Sequence, residues 1–229
     1  EDGTSRILYI WDQTVQTPGR SPLDYVYGTE WTKADIDSGR CREMDATSHG
    51  THTASTIAGD GRDRHNFTGM APEADIIAVK GTLEDADTLD AADYIFQKAE
   101  ELGRPAVINM SFGSNWGPHD GTALLDQALD ELLAHPGRTV VASAGNDGDD
   151  TVHVGTDSLR RPVAGNYPWT AIAPTVGAES IAIQIWYDPK KTLSVRFLLP
   201  ENESGDLSDL GMGWVSQGQV RYFFVKSGP

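Results

Sequence analysis

Apolar, β-branched runs alternate through the first two-thirds of this chain with segments of helical periodicity, and few folds accommodate that alternation. RILYIW at 6–11, DIIAVK at 75–80, AVINM at 106–110 and RTVVAS at 138–143 are nearly continuous apolar runs. Between them, 89–102 places Leu89, Ala92, Tyr94, Ile95, Phe96, Ala99 and Leu102 at helical spacing, and 122–135 does the same with Leu124, Leu125, Ala128, Leu129, Leu132 and Leu133. Strands buried on both faces lose the polar/apolar alternation of half-exposed ones, and parallel neighbours need a helical crossover. The expected fold class is therefore α/β, a three-layer parallel sheet with helices on both faces.

The pattern changes after about residue 150. ESIAIQIWY at 179–187 and TLSVRFLL at 192–199 alternate at period two around a DPKK turn, and QVRYFFVK at 219–226 is again strand-like. The expected organisation is an α/β domain over 1–150 and a β-rich, sandwich- or jelly-roll-like part over 151–229. Residues 20–48 are polar and read as loop. The 34 acidic against 18 basic side chains leave a formal net charge of −16, which argues against a nucleic-acid backbone as partner. One cysteine, Cys41, excludes an intrachain disulfide and a cysteine-rich metal cluster. No apolar run reaches the roughly 20 residues that a membrane helix needs. The opening EDGTSRILYI is no signal peptide and enters its first strand almost at once, so a leader or propeptide upstream is expected.

The candidate chemistry lies in HGTHTASTIAG at 49–59 and at three strand ends. The first reads as a short buried helix with His49 in its first turn, Ser48 as N-cap and Gly59-Asp60-Gly61 as stop. Its small side chains imply close backbone packing. Asp12 ends the first strand, Ser111-Phe112-Gly113 follows the third and Ala144-Gly145-Asn146 follows the fourth. In open α/β sheets function gathers outside the carboxyl ends of the strands. Taken singly, each residue has a plainer role: Asp12 and Asn146 as turn residues, His49 as a cap. His52, three residues after His49, invites a metal reading, but no cysteine, third histidine or zinc-helix glutamate accompanies it, and it is taken as structural. The acidic runs at 84–90 and 147–150 follow no calcium-loop spacing. Neither metal nor cofactor is implied.

These motifs together resemble the subtilisin-like serine proteases. HGTHTASTIAG is similar to that family's histidine motif, VINMSFG to its substrate-cleft strand, and VVASAGNDG to its oxyanion-asparagine motif, in the family's order. IWDQT departs from the commoner Asp-Ser/Thr-Gly turn and resembles a variant in a bacterial branch that includes spore-germination proteases. That branch can carry a jelly-roll insertion between the asparagine and serine motifs. The resemblance implies His49 as general base, Asp12 as the carboxylate that orients it, and Asn146 as oxyanion donor. It also implies Ser111, Phe112 and Gly113 with Ser143, Ala144 and Gly145 as the walls of the substrate cleft, a polypeptide substrate, and a secreted, envelope- or spore-associated location.

The family's Gly-Thr-Ser nucleophile motif does not follow Asn146, and Gly3-Thr4-Ser5 precedes Asp12 and runs into a strand. Two readings stay open. One is a protease whose serine lies on a further segment or a second chain; the other is a non-catalytic relative that binds peptides or a protease.

Overall fold

The computed structural model describes residues 3–62 and 67–150, and the strands at 180–186, 216–217 and 220–226. Contacts divide the chain into two compact units, one of residues 1–114 and 121–146, the other of 115–120 and 147–229.

The first unit is built outward from β1 (Ile7–Asp12), which lies between an antiparallel neighbour, β2 (Thr29–Thr32), and a parallel one, β3 (Ile76–Lys80). The register puts Asp12 opposite Thr29 on one side and Lys80 on the other. Successive side chains of a strand leave opposite faces. Trp11, fully buried, packs against Tyr25, Tyr27 and Tyr94, with ring centroids 4.6, 5.3 and 4.9 Å away. The next residue, Asp12, is thereby directed to the opposite face, and there it too is buried.

A second, parallel pair joins β4 (Ala106–Met110) to β5 (Arg138–Ala142), with Met110 opposite Ala142. Helices α3 (Asp85–Glu101) and α4 (Leu124–Leu133) cover one face of this pair. Ala92 and Phe96 of α3 form the core with Ile108 and Met110 of β4, and Leu129, Leu132 and Leu133 of α4 close over it. The other face carries Val107 opposite Thr139 and Asn109 opposite Val141. Val107 is 72% and Val141 50% exposed. The expected second helical layer is not found there among the described residues.

Two further expectations need correction. The stretch 20–48 is not all loop: it holds β2 and a one-turn helix, α1 (Lys33–Asp37). Asp35 stabilises that turn by accepting from the Thr32 amide and hydroxyl, and it also receives Arg20 and Arg40. Helix α2 (His49–Ala58) forms where the motif predicts it, yet only Ala58 is buried. The close packing inferred from its small residues is concentrated at its carboxyl end. There the amides of Gly69, Met70 and Ala71 bond the carbonyls of Gly59, Thr56 and Ile57 at 2.8, 3.1 and 2.7 Å. The Arg6 guanidinium adds a bond to the Ala58 carbonyl.

In the second unit, β6 (Ser180–Trp186), β7 (Ser216–Gln217) and β8 (Val220–Lys226) form an antiparallel sheet in the order β6-β8-β7. Two of the expected strands fall in β6 and β8; the one at 192–199 lies outside the described residues.

Candidate active site

Asp12 sits where β1 ends and the chain turns. Its Oδ1 accepts from the Thr14 amide at 2.8 Å and the Thr14 hydroxyl at 2.6 Å, an Asx-turn that also fixes the carboxylate plane. The hydroxyl that the commoner Asp-Ser/Thr-Gly turn carries directly after the aspartate is here one residue later. Gln13, in between, is nearly buried and donates to the Tyr27 hydroxyl and the Asp87 carbonyl, joining the end of β1 to the start of α3.

The second oxygen, Oδ2, faces a charged group that the sequence does not single out. Parallel pairing of Asp12 with Lys80 puts the Lys80 Nζ 3.9 Å from Oδ2. The same ammonium lies 2.6 Å from Glu43 Oε1 and donates to the Met44 carbonyl at 3.1 Å. Lys80 thus bridges the Asp12 and Glu43 carboxyls. Burial raises the Asp12 carboxyl, but bonds from Glu43 and Thr14 and the charge of Lys80 outweigh it and hold the group below its ordinary range. Burial, and then the bond to Asp12, push Glu43 the opposite way. His49 is exposed and is not among the hydrogen-bond or ion-pair partners of Asp12.

His49 is positioned by its backbone. It opens α2 directly after Ser48, whose φ of 62° is left-handed and whose hydroxyl makes no cap bond. The expected cap is replaced by Asp45. Oδ2 of Asp45 accepts from the Thr51 amide at 2.8 Å and the Thr51 hydroxyl at 2.7 Å. Oδ1 accepts from the Thr47 and Ser48 amides at 3.1 and 2.9 Å and from the Thr47 hydroxyl at 3.1 Å. An aspartate satisfying amides of a first helical turn is the side-chain capping that helix ends require. Bonds from the Thr51 amide and hydroxyl hold the Asp45 carboxyl well below its usual range.

The two segments expected to wall a cleft do lie side by side. The Ser143 amide donates to the Met110 carbonyl at 3.0 Å, continuing the β4–β5 ladder, and the Ser143 hydroxyl reaches the Phe112 carbonyl at 3.4 Å. Asn109 Nδ2 donates to the Ser111 hydroxyl at 3.0 Å. Phe112, Gly113, Ala144, Gly145 and Asn146 are exposed beyond the strand ends. Gly145, at φ 81°, turns the chain immediately before Asn146, a conformation that a side chain would strain.

Residues 21–212 match the Subtilase family, peptidase S8, a span that holds His49, both cleft segments and Asn146 and begins after Asp12. The chain belongs to the subtilase family. It is 31% identical over 160 residues to a thermophilic serine proteinase of Bacillus sp. (strain AK1), covering 62% of this chain and 37% of that protein. It is 32% identical over 130 residues to a subtilisin of Bacillus sp. (strain TA39), covering 55% and 28%. The chain thus matches about a third of the length of these subtilases. Its fold is similar to a solved structure of the CspB protease of Clostridium perfringens, with a TM-score of 0.54 and 21% identity over 80% of this chain and 34% of that one.

Proposed function

We propose that this chain carries the amino-terminal part of the catalytic domain of a serine endopeptidase that hydrolyses peptide bonds, with its nucleophilic serine on a further segment or a second chain. The observation that carries the reading is the subtilase match spanning His49, both cleft segments and Asn146. In this reading His49 takes the proton of the serine hydroxyl as it attacks the scissile carbonyl and returns it to the leaving amine. Asp12 holds the imidazole tautomer and stabilises the imidazolium. The Asn146 side-chain amide donates to the tetrahedral oxyanion. The segments 111–113 and 143–145 hold the substrate as an added strand between them. The exposed face of β4 and β5 supports a missing segment, since parallel strands are ordinarily covered on both faces.

Labelling the intact gene product with a fluorophosphonate tests the proposal. A labelled serine within a Gly-Thr-Ser sequence, with label lost in His49→Ala, is the expected result. An open reading frame lacking that motif, with no label on any chain, would overturn it. The second reading, a non-catalytic subtilase that binds peptides, is favoured by one observation: Asp12 is engaged by Thr14 and Lys80 and not by His49.

A further inference from the structure

Lys80 stands where three parts of the site meet. It closes β3 opposite Asp12, the last residue of β1, and its carbonyl accepts from the Gln13 amide at 2.8 Å. Its backbone is thereby fixed to the turn that follows Asp12. Its ammonium reaches a segment that belongs to neither sheet, lying 2.6 Å from Glu43 Oε1 and donating to the Met44 carbonyl at 3.1 Å. The same ammonium stands 3.9 Å from Asp12 Oδ2. That is beyond hydrogen-bond range, so it acts there as a charge and takes no donor position on the oxygen. Glu43 and Met44 run straight into Asp45, whose carboxylate accepts from the Ser48 and Thr51 amides at the start of α2.

We propose that Lys80 is a positioning residue: it ties segment 43–44, which leads into the helix that His49 opens, to the end of the strand that carries Asp12. The inference rests on reading His49 as base and Asp12 as its orienter, and it adds the part that sets the distance between them. The two side chains come from separate elements, α2 and β1, and a base works only where its partners are held to a fraction of an ångström. The Asp12 and Glu43 side chains are 2% and 13% exposed, while that of Lys80 is 43% exposed. Two carboxylates so little hydrated need a cation between them, and a compact ammonium on a flexible stem serves both from one place. An apolar side chain at position 80 would leave both without that counter-ion and release the Met44 carbonyl. Asp45 would still cap α2, but the turn that it builds would lose its link to β3 and, through it, to the end of β1.

The test compares Lys80→Met, which keeps the stem and loses the charge, with Glu43→Ala and with the two combined, each in the intact gene product. Amide hydrogen exchange is read first and needs no activity. Lys80→Met is expected to speed exchange at Ser48 and Thr51 severalfold while the middle of α3 keeps its wild-type rate. Unchanged rates at Ser48 and Thr51, or an equal rise in α3, would overturn the proposal. Peptide hydrolysis is read second. Lys80→Met should lower kcat by about ten- to a hundredfold with little change in KM, the pattern of a misplaced base. Glu43→Ala should lower kcat in the wild-type background and add almost nothing to Lys80→Met, because the lysine acts through it. Losses that simply add, or that fall in KM, refute the tether. Should Lys80→Met fail to fold, Glu43→Ala alone must speed exchange at Ser48 and Thr51, and its failure to do so overturns the proposal. A wild type that cleaves no peptide would count against the protease reading and leave the exchange result to decide the tether.

Discussion

Asp45 receives five donors on two oxygens at the entrance to α2, and through them it determines how the backbone of His49 leaves the preceding turn. Asp45→Ala is expected to lower the melting temperature and to loosen the first turn of α2, with Asp45→Asn, which keeps an acceptor, intermediate. The effect should depend on pH in a definite direction. The carboxyl is held below its ordinary value near 3.8 in the folded chain. Below that value the unfolded chain binds a proton that the folded one resists, and stability is lost as the pH falls further. The gap in melting temperature between wild type and Asp45→Ala should therefore be full at neutral pH and shrink below about pH 4. Thermal melts across that range check it, and a gap unchanged in acid would refute the capping role. Asn146, exposed after its strand, carries a different prediction. If its amide meets the oxyanion, Asn146→Ala lowers kcat by about two to three powers of ten with little change in KM, the size of effect known for that residue in subtilisin. An equal loss spread into KM would instead make it a substrate-binding residue.

At the scale of elements, the carboxyl end of α2, the helix that His49 opens, packs backbone to backbone against Gly69. A Cβ on Gly69 would stand 2.6 Å from the Gly59 nitrogen, 2.7 Å from the Ala58 nitrogen and 2.8 Å from the Ile57 carbonyl carbon. These are backbone atoms and cannot swing aside. Gly69→Ala should destabilise the fold by about 1–3 kcal/mol, the usual range for overpacking. It should also speed hydrogen exchange at the last turn of α2 more than in β4; uniform acceleration would place the damage elsewhere. The elements that sequence pattern reveals are those long enough to show a period. The strands ending at Asp12 and Met110 and the helices over Phe96 and Leu129 appear where their apolar spacing puts them. β2 and α1, of four and five residues, are too short to show one, and only the Thr32–Asp35 capping pair marks them. Small residues in α2 signal a close approach but not which end makes it. The candidate site divides in the same way. The order Asp12, His49, Asn146 is legible because motif residues are contiguous with their elements. The Lys80 contact arises from strand register, and the Glu43 contact from the path of a loop, and neither is written in local spacing.

The whole chain carries 34 acidic and 18 basic side chains, a net charge of −16, and five of the acidic residues stand within six positions of His49 or Asn146 in the sequence. Glu43, Asp45, Asp147, Asp149 and Asp150 flank His49 or Asn146 in sequence, and Asp45 and Asp147 remain exposed in the fold. A charge of this size sets the potential that an approaching peptide meets without altering how the chain folds. Cationic peptides should be drawn in and anionic ones repelled, an effect on association more than on the chemical step. Screening decides whether that field matters. The Debye length is about 30 Å at 0.01 M salt and about 3 Å at 1 M, so contributions from charges spread over the surface vanish across that interval while direct contacts persist. For the intact gene product, the ratio of kcat/KM for a lysine-flanked peptide to that for its neutral counterpart should fall steeply as salt rises between those limits, most of the change lying in KM. The neutral peptide alone should change little. A preference for the cationic peptide that held at 1 M salt would point to a carboxylate in direct contact with the substrate, and no preference at 0.01 M would mean that the acidic surface serves the solubility of the protein and not its choice of substrate.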